Sequence, residues 1–329
     1  VDGDFVSVVI PVYNEEKYIE KCIESILLQD YPKHLLELIL VDGCSIDRTR
    51  ALINKFIIQY PNLIKVYDNP NKTVPYAMNI GISLSKGKYI IRLDAHAEYP
   101  KNYFSKCIYY LNNIEADNVG GIVETKSNNL MGNVIAKVLS SKFGVGNSQF
   151  RTDGKSGYVD TVPFGAFKRE VFEEWGGYDV RLTRNQDNEM NYRIRRNGGR
   201  VYLANDIRIS YYCRDSIRDL CDMALKNGMW NIITMRLCPG SMSLRHFIPL
   251  TFVISLLFLL VTQLFFYPLR LLFLAEVLSY LILSVYFSFK LASSKSEFFL
   301  LLILFPIFHM TYGFGSLKGM VKLLFTDFK

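Results

Sequence analysis

The chain has 329 residues, half of them hydrophobic, with a formal net charge of +7 at pH 7: enough for one large domain or two ordinary ones, and at the apolar edge for a soluble protein. Its basic residues, such as Arg193, Arg195, Arg196 and Arg200, lack interleaved aromatics, which suits phosphate-bearing molecules, an anionic membrane leaflet or a solvated helix face better than nucleic-acid readout, so no nucleic-acid partner is expected. The six cysteines show no C-x-x-C pair and no histidine at metal spacing, so they read as reduced, cytosolic thiols and not as a zinc site or a disulfide framework.

Taken in chain order, FVSVVIPVY at 5–13 is a run rich in β-branched residues. Asn14-Glu15-Glu16 then opens a helical pattern through Ile19, Cys22, Ile23, Ile26 and Leu27. No signal peptide is expected, because Val1 leads directly into that strand pattern. LELILVDG at 36–43 repeats the scheme, with Ser45 and Asp47 preceding a helix over 49–60. A weak strand at 65–67, a helix over 74–85 and the strand KYIIRLD, which delivers Asp94, complete the alternation. Strands that alternate with helices and are apolar throughout predict an α/β domain with a mostly parallel sheet covered on both faces. In such sheets ligands bind beyond the carboxyl ends of the strands, so Tyr13, Asp42 and Asp94 are expected to meet in one crevice.

Several chemistries have no anchor. No G-x-G-x-x-G follows the first strand, and no Walker-type loop, G-x-S-x-G or H-E-x-x-H occurs. What remains is Asp94-Ala95-His96, a carboxylate and an imidazole at i and i+2 after a strand, able to face a cation held by a substrate diphosphate. That donor pair suits Mn²⁺ and, less well, Mg²⁺, and a neutral imidazole ligand predicts weakening below about pH 6 as His96 protonates. Farther on, Asp187 and Glu189 open a helix in RNQDNEMNYRIRRNGG. Acids there complement the helix dipole, or one of them serves as the general base for a sugar hydroxyl.

These stretches resemble the family-two inverting glycosyltransferases of the GT-A fold. VSVVIPVYNEEKYIEKCIESI is similar to the opening strand and helix of that family, LILVDGCSIDRTRALI to its second nucleotide-binding turn, and NPNKTVPYAMNIGISLSKGKYIIRLDAHAEYP to the approach to its D-x-D motif. GAFKREVFEEWGGYD and RNQDNEMNYRIRRNGGRVYL resemble its acceptor segment and ED motif, and the DAHA, RNQDNE and YYCRDS forms resemble the succinoglycan-biosynthesis subgroup. The resemblance implies that Pro11, Tyr13 and Glu15 border the nucleobase and ribose and that Asp42 hydrogen-bonds the base, with Gly43 standing where many relatives have a second acid. Lys72, Asn79 and Arg92 fall on the donor side or are structural polar residues. Asp94 would meet the ribose or the metal-bound diphosphate, His96 would replace the second metal-binding acid, and Asp187 would be the catalytic base. Gly165 and Ala166, with Glu189, would border the acceptor. Trp230 either stacks on a sugar or belongs to the core or the membrane interface.

Three stretches, 247–269, 271–289 and 298–317, are almost free of charge, and each approaches the roughly 20 residues that cross a bilayer. The expected organisation is a cytosolic GT-A domain over 1–214, interfacial amphipathic helices over 215–245 and a transmembrane region over 246–329 with two or three helices. Lys290 and Lys295 fit the positive-inside rule, whereas Lys318, Lys322 and Lys329 fit it only if the third stretch turns back near Pro306. Without a Q-x-x-R-W signature, one sugar is expected per binding event. The resulting expectation is a multi-pass cell-membrane enzyme with Mn²⁺ or Mg²⁺ as cofactor. Its donor would be a nucleotide-diphospho-sugar, a UDP-sugar first, and its acceptor a hydroxyl of a polyprenyl-diphosphate-linked saccharide in surface-glycan synthesis. The competing reading is a non-catalytic sugar-nucleotide-binding assembly subunit, which would bind donor without turnover.

Overall fold

A computed structural model describes residues 3–127, 129–213 and 215–326; Val1 and Lys329 lie outside the described residues. The chain divides into two compact units, one formed by residues 1–124 and 153–212, the other by 125–152 and 213–329.

The first unit begins with β1 (Val6–Val12), α1 (Ile19–Leu27), β2 (Leu36–Asp42), α2 (Thr49–Gln59), β3 (Ile64–Asp68), α3 (Val74–Leu84) and β4 (Tyr89–Arg92). β2 is buried along its whole length and β1 nearly so, as expected where helices cover both faces of a parallel sheet. Helix α1 forms because Ile19, Cys22, Ile23 and Ile26 recur at helical spacing and are buried on one face. β1 pairs in parallel with β2 and β4, and β2 with β3. That register sets Val12 opposite Asp42 and Asp42 opposite Asp68, so the chain turns at the ends of β1 and β2 lie side by side.

After β4 the pattern changes. β5 (Ala97–Glu98), α4 (Tyr103–Asn113) and β6 (Asn118–Lys126) lead to two short helices, α5 (Leu130–Leu139) and α6 (Lys142–Val145). β7 (Gly157–Tyr158), β8 (Ala166–Lys168), α7 (Glu170–Trp175), α8 (Gln186–Arg196) and β9 (Val201–Tyr212) follow. The strand order is β3-β2-β1-β4-β8-β6-β9-β5, with β7 on β9. β8 is antiparallel to β4 and β6, and β9 to β5 and β7. The sheet is thus mixed: its first half is the expected parallel one, its second half antiparallel, built partly from strands of two or three residues.

The second unit contains α5, α6, α9 (Ile217–Leu237), α10 (Ile248–Thr262), α11 (Pro268–Leu291) and α12 (Lys295–Phe325). Leu244–Thr262, Pro268–Leu291 and Lys295–Phe325 are each long and apolar enough to cross a membrane. The first of these ends at Thr262, short of the sequence expectation of 269. Helix α12 runs unbroken through Pro306, so of the two alternatives the chain does not take the turn back at the proline; Leu304, Phe305 and Phe308, all buried, flank the proline in one helix. At 31 residues it extends about 46 Å, well beyond the roughly 30 Å of a hydrocarbon core, and Lys318 and Lys322 sit in its final turns. Helix α9 packs on α12 through small residues. Ser316 donates to the Gly228 carbonyl at 3.2 Å, and a Cβ on Gly315 would fall 2.2 Å from the Leu225 carbonyl oxygen, so only glycine permits this approach.

Candidate active site

The crevice is assembled from turns that follow β1, β2 and β4. Asn14 and Cys44 take left-handed backbone conformations, at φ 55° and 58°, and they lock two turns together: Asn14 N–H donates to Ser45 Oγ at 2.9 Å, and Ile46 N–H donates to Asn14 Oδ1 at 3.0 Å. Glu15 N–H donates to Thr49 Oγ1 at 2.7 Å. Pro11, which lacks an N–H, stands near the end of β1, beyond the residues that pair with β4, and is partly exposed.

Asp42 is almost fully buried. Its Oδ1 accepts from Ser45 N–H and Oγ–H at 3.1 and 2.6 Å, and Arg50 reaches Oδ2 at 3.3 Å while bonding Asp68 at 2.8 Å. A carboxylate held this way is fixed in orientation at the end of its strand. Beside it Tyr13 is 43% exposed, and the Lys72 ammonium lies 5.9 Å from its ring centre. That leaves an open aromatic face next to a cation, as a nucleobase and its phosphates would need.

Asp94 and His96 follow β4. Asp94 N–H donates to Tyr99 Oη at 2.8 Å, and Arg92 donates to Asp94 Oδ1 at 3.3 Å. Arg92 is also paired with Asp187 at the start of α8, so the residue expected to be the base is joined to the Asp94 side through one guanidinium. His96 Nδ1 lies 3.0 Å from Glu15 Oε1, and Nε2 3.0 Å from Tyr211 Oη. Burial disfavours the charged imidazole, but the Tyr211 oxygen, the Glu15 hydrogen bond and Asp94 outweigh it and hold the pKa well above 6.5.

That arrangement bears on metal binding. An imidazole ligates through an unprotonated nitrogen, and both nitrogens of His96 face oxygen partners. Among the described residues no three His, Cys, Asp or Glu groups converge as a cation cage. Asp94, with 18% of its side chain exposed, is the carboxylate that fits a cation carried in by a diphosphate. With the His96 pKa raised above 6.5, the weakening expected on its protonation would set in at a higher pH than 6.

The residues expected on the acceptor side are engaged differently. Glu189 is buried and bound to Arg193 at 2.8 and 2.5 Å, and Arg193 in turn donates to the carbonyls of Trp175 and Gly177; this is a brace between α8 and the turn after α7. Gly165 leaves room for the Asn118 side chain, whose Oδ1 would meet a Cβ at 2.2 Å, and its carbonyl accepts from Arg92 N–H at 2.9 Å. Ala166 is fully buried in β8. Asn79 exchanges two hydrogen bonds with the Tyr178 backbone, at 2.8 and 2.7 Å. Trp230 lies in α9, in the other unit.

Sequence reasoning missed Tyr211, Tyr178, Ser45 and Arg50 as partners of the site. Ser45 had a local signal, an Asp-x-x-Ser turn; Tyr211 and Tyr178, brought in from distant elements, had none.

An α/β domain with carboxylates at the ends of parallel strands on either side of β1, and an acid heading a helix, is the architecture of a GT-A glycosyltransferase. The sequence profile described as glycosyl transferase family 2 matches residues 7–176, just over half of the chain, and the chain belongs to that family. It is 30% identical, over 97% of its length and 98% of the relative's, to the dolichyl N-acetyl-alpha-D-glucosaminyl phosphate 3-beta-D-2,3-diacetamido-2,3-dideoxy-beta-D-glucuronosyltransferase of Methanococcus voltae. It is 29% identical to the succinoglycan biosynthesis protein ExoA of Rhizobium meliloti (strain 1021) over 74% of each chain. The mannosyltransferase PcManGT from Pyrobaculum calidifontis, solved with GDP-Man and Mn²⁺, superimposes with a TM-score of 0.58 at 18% identity, covering 98% of this chain and 87% of that one. At that identity the likeness speaks for the fold.

Proposed function

We propose that this glycosyltransferase moves one sugar, with inversion, from a nucleotide-diphospho-sugar to a hydroxyl of a lipid-linked saccharide at the membrane. The observation that carries the reading is the pairing of Asp94 and Asp187 through Arg92, with Asp42 fixed at the end of β2, in one family-two domain whose chain also holds three helices apolar enough to cross a bilayer. Tyr13 and Asp42 seat the nucleobase, Lys72 meets the phosphates, and Asp94 faces the diphosphate. Asp187 takes the proton from the acceptor hydroxyl as it attacks the anomeric carbon, and the nucleoside diphosphate leaves from the opposite face. Direct in-line attack of this kind inverts the anomeric centre.

Asp94 would hold a divalent cation, Mn²⁺ or Mg²⁺, whose charge would neutralise the leaving diphosphate. His96 keeps Glu15 and Tyr211 in place at the rim of that site. The names of the Methanococcus and Rhizobium relatives support a lipid-linked or surface-glycan acceptor, and nucleotide sugars are cytosolic, which sets the catalytic unit on the cytosolic side. The test is turnover of a panel of nucleotide sugars, UDP-sugars first, by membranes containing the full chain and polyprenyl-linked acceptors, with Mn²⁺, with Mg²⁺ and with EDTA. Glycosylated lipid that depends on one donor and disappears with EDTA is expected. Donor binding without cleavage across the panel would replace this reading with that of a non-catalytic subunit.

A further inference from the structure

Arg92 is out of character with its strand. Tyr89, Ile90 and Ile91, the other residues of β4, are buried and mostly aliphatic or aromatic, yet the strand ends in a guanidinium that is itself only 3% exposed. A buried arginine is costly unless its charge is answered, and here it is answered twice, by Asp94 Oδ1 at 3.3 Å and by Asp187. The ring of Tyr178 lies 6.0 Å from the guanidinium carbon. Tyr178 is in turn fixed by the two hydrogen bonds of Asn79, and the Arg92 backbone is tied to the Gly165 carbonyl. The side chain is therefore set between two carboxylates and a ring, with almost no exposed surface, although its buried Nε and Nη1 meet no hydrogen-bond acceptor of good geometry among the described residues.

We infer that Arg92 is a positioning residue: its guanidinium aims the Asp187 carboxylate at the acceptor and ties that carboxylate to Asp94, so the base and the diphosphate-facing acid share one rigid link. This rests on the reading of Asp187 as the base, and it sets aside a direct donor contact for Arg92. A planar fork of five donors can serve two carboxylates at once in fixed geometry, which a lysine ammonium does less well. A base displaced by about 1 Å loses on the order of 10² in rate, whereas a lost donor contact appears in KM.

The test is a double-mutant cycle on the full-length membrane enzyme, with Arg92→Met and Arg92→Lys each made in the wild-type and Asp187→Asn backgrounds, measuring kcat and donor KM. Arg92→Met is expected to lower kcat by about 10- to 100-fold with donor KM changed by less than about 3-fold, and Arg92→Lys to recover part of the loss. In the Asp187→Asn background neither substitution is expected to cost more than about 2-fold, because the route through which Arg92 acts is already gone. A loss carried by KM, or the same factor in both backgrounds, would overturn the positioning role while leaving Asp187 as the base. Near-normal turnover by Asp187→Asn alone would remove the base and this proposal with it. If Arg92→Met fails to fold, the Arg92→Lys arm decides by the same comparison.

Discussion

The two units use buried polarity in opposite ways. In the catalytic unit the polar side chains that matter are charged and stand at strand ends or a helix start, buried as with Asp42 and Arg92 or partly exposed as with Asp94, His96 and Asp187. In the helical unit the buried polar side chains are mostly small and neutral, as with Asn231, Thr234, Ser284 and Ser316, and some of them join helix to helix: Asn231 to Tyr312 at 2.5 Å, Ser316 to Gly228 at 3.2 Å. Charges at the open edge of a rigid sheet can answer a ligand; neutral groups and glycines inside a helix bundle let backbones approach in an apolar solvent. Chemistry and anchoring are thus written in different residue classes within one chain.

This contrast predicts different failures. Asp94→Ala removes the charge that answers Arg92 and that is proposed to face the donor. A charged hydrogen-bonding group is worth about 3 kcal/mol at most, so transfer is expected to fall on the order of 100-fold in a membrane turnover assay, and a loss below about 3-fold would place the diphosphate elsewhere. Gly315→Leu in the helical unit is expected to act on stability and leave chemistry alone. It should lower the unfolding temperature of the purified full chain by on the order of 5 °C and leave kcat of the folded fraction unchanged; a fall in kcat without loss of stability would break the division between the units.

The smallest effect concerns His96. Its folded pKa lies well above 6.5, so the stability it contributes is complete below about pH 6.5 and is lost as the pH rises through the raised value. The difference in unfolding temperature between wild type and His96→Gln should therefore be largest in mild acid and shrink toward alkaline pH. A difference that grows with pH would mean that the imidazole is neutral in the fold and available as a ligand.

Much of the catalytic unit was legible because its information is local. A β-branched strand, a turn with an acid and a helix at 3.6-residue spacing identify β1, β2 and β4 and deliver Asp42 and Asp94. The antiparallel half was not, since β5, β7 and β8 are too short to show a period and exist only by pairing with β9 or β4. The partners of His96 come from 81 and 115 positions away, which no local pattern encodes. Glu189 illustrates a signal present and passed over: its partner Arg193 is four residues on, the spacing at which helical side chains meet, and that pairing commits the carboxylate to bracing α8. The membrane helices were legible as apolar runs, but the continuity of α12 through Pro306 depends on what packs around the proline.

The account stands most directly on Asp187. Asp187→Asn in the full-length chain keeps the shape of the residue and removes its capacity to accept a proton, so donor binding should persist while transfer to a lipid-linked acceptor falls by about 10²- to 10⁴-fold. Transfer within a few-fold of wild type would contradict the assignment of the base, and with it the account of how this crevice works.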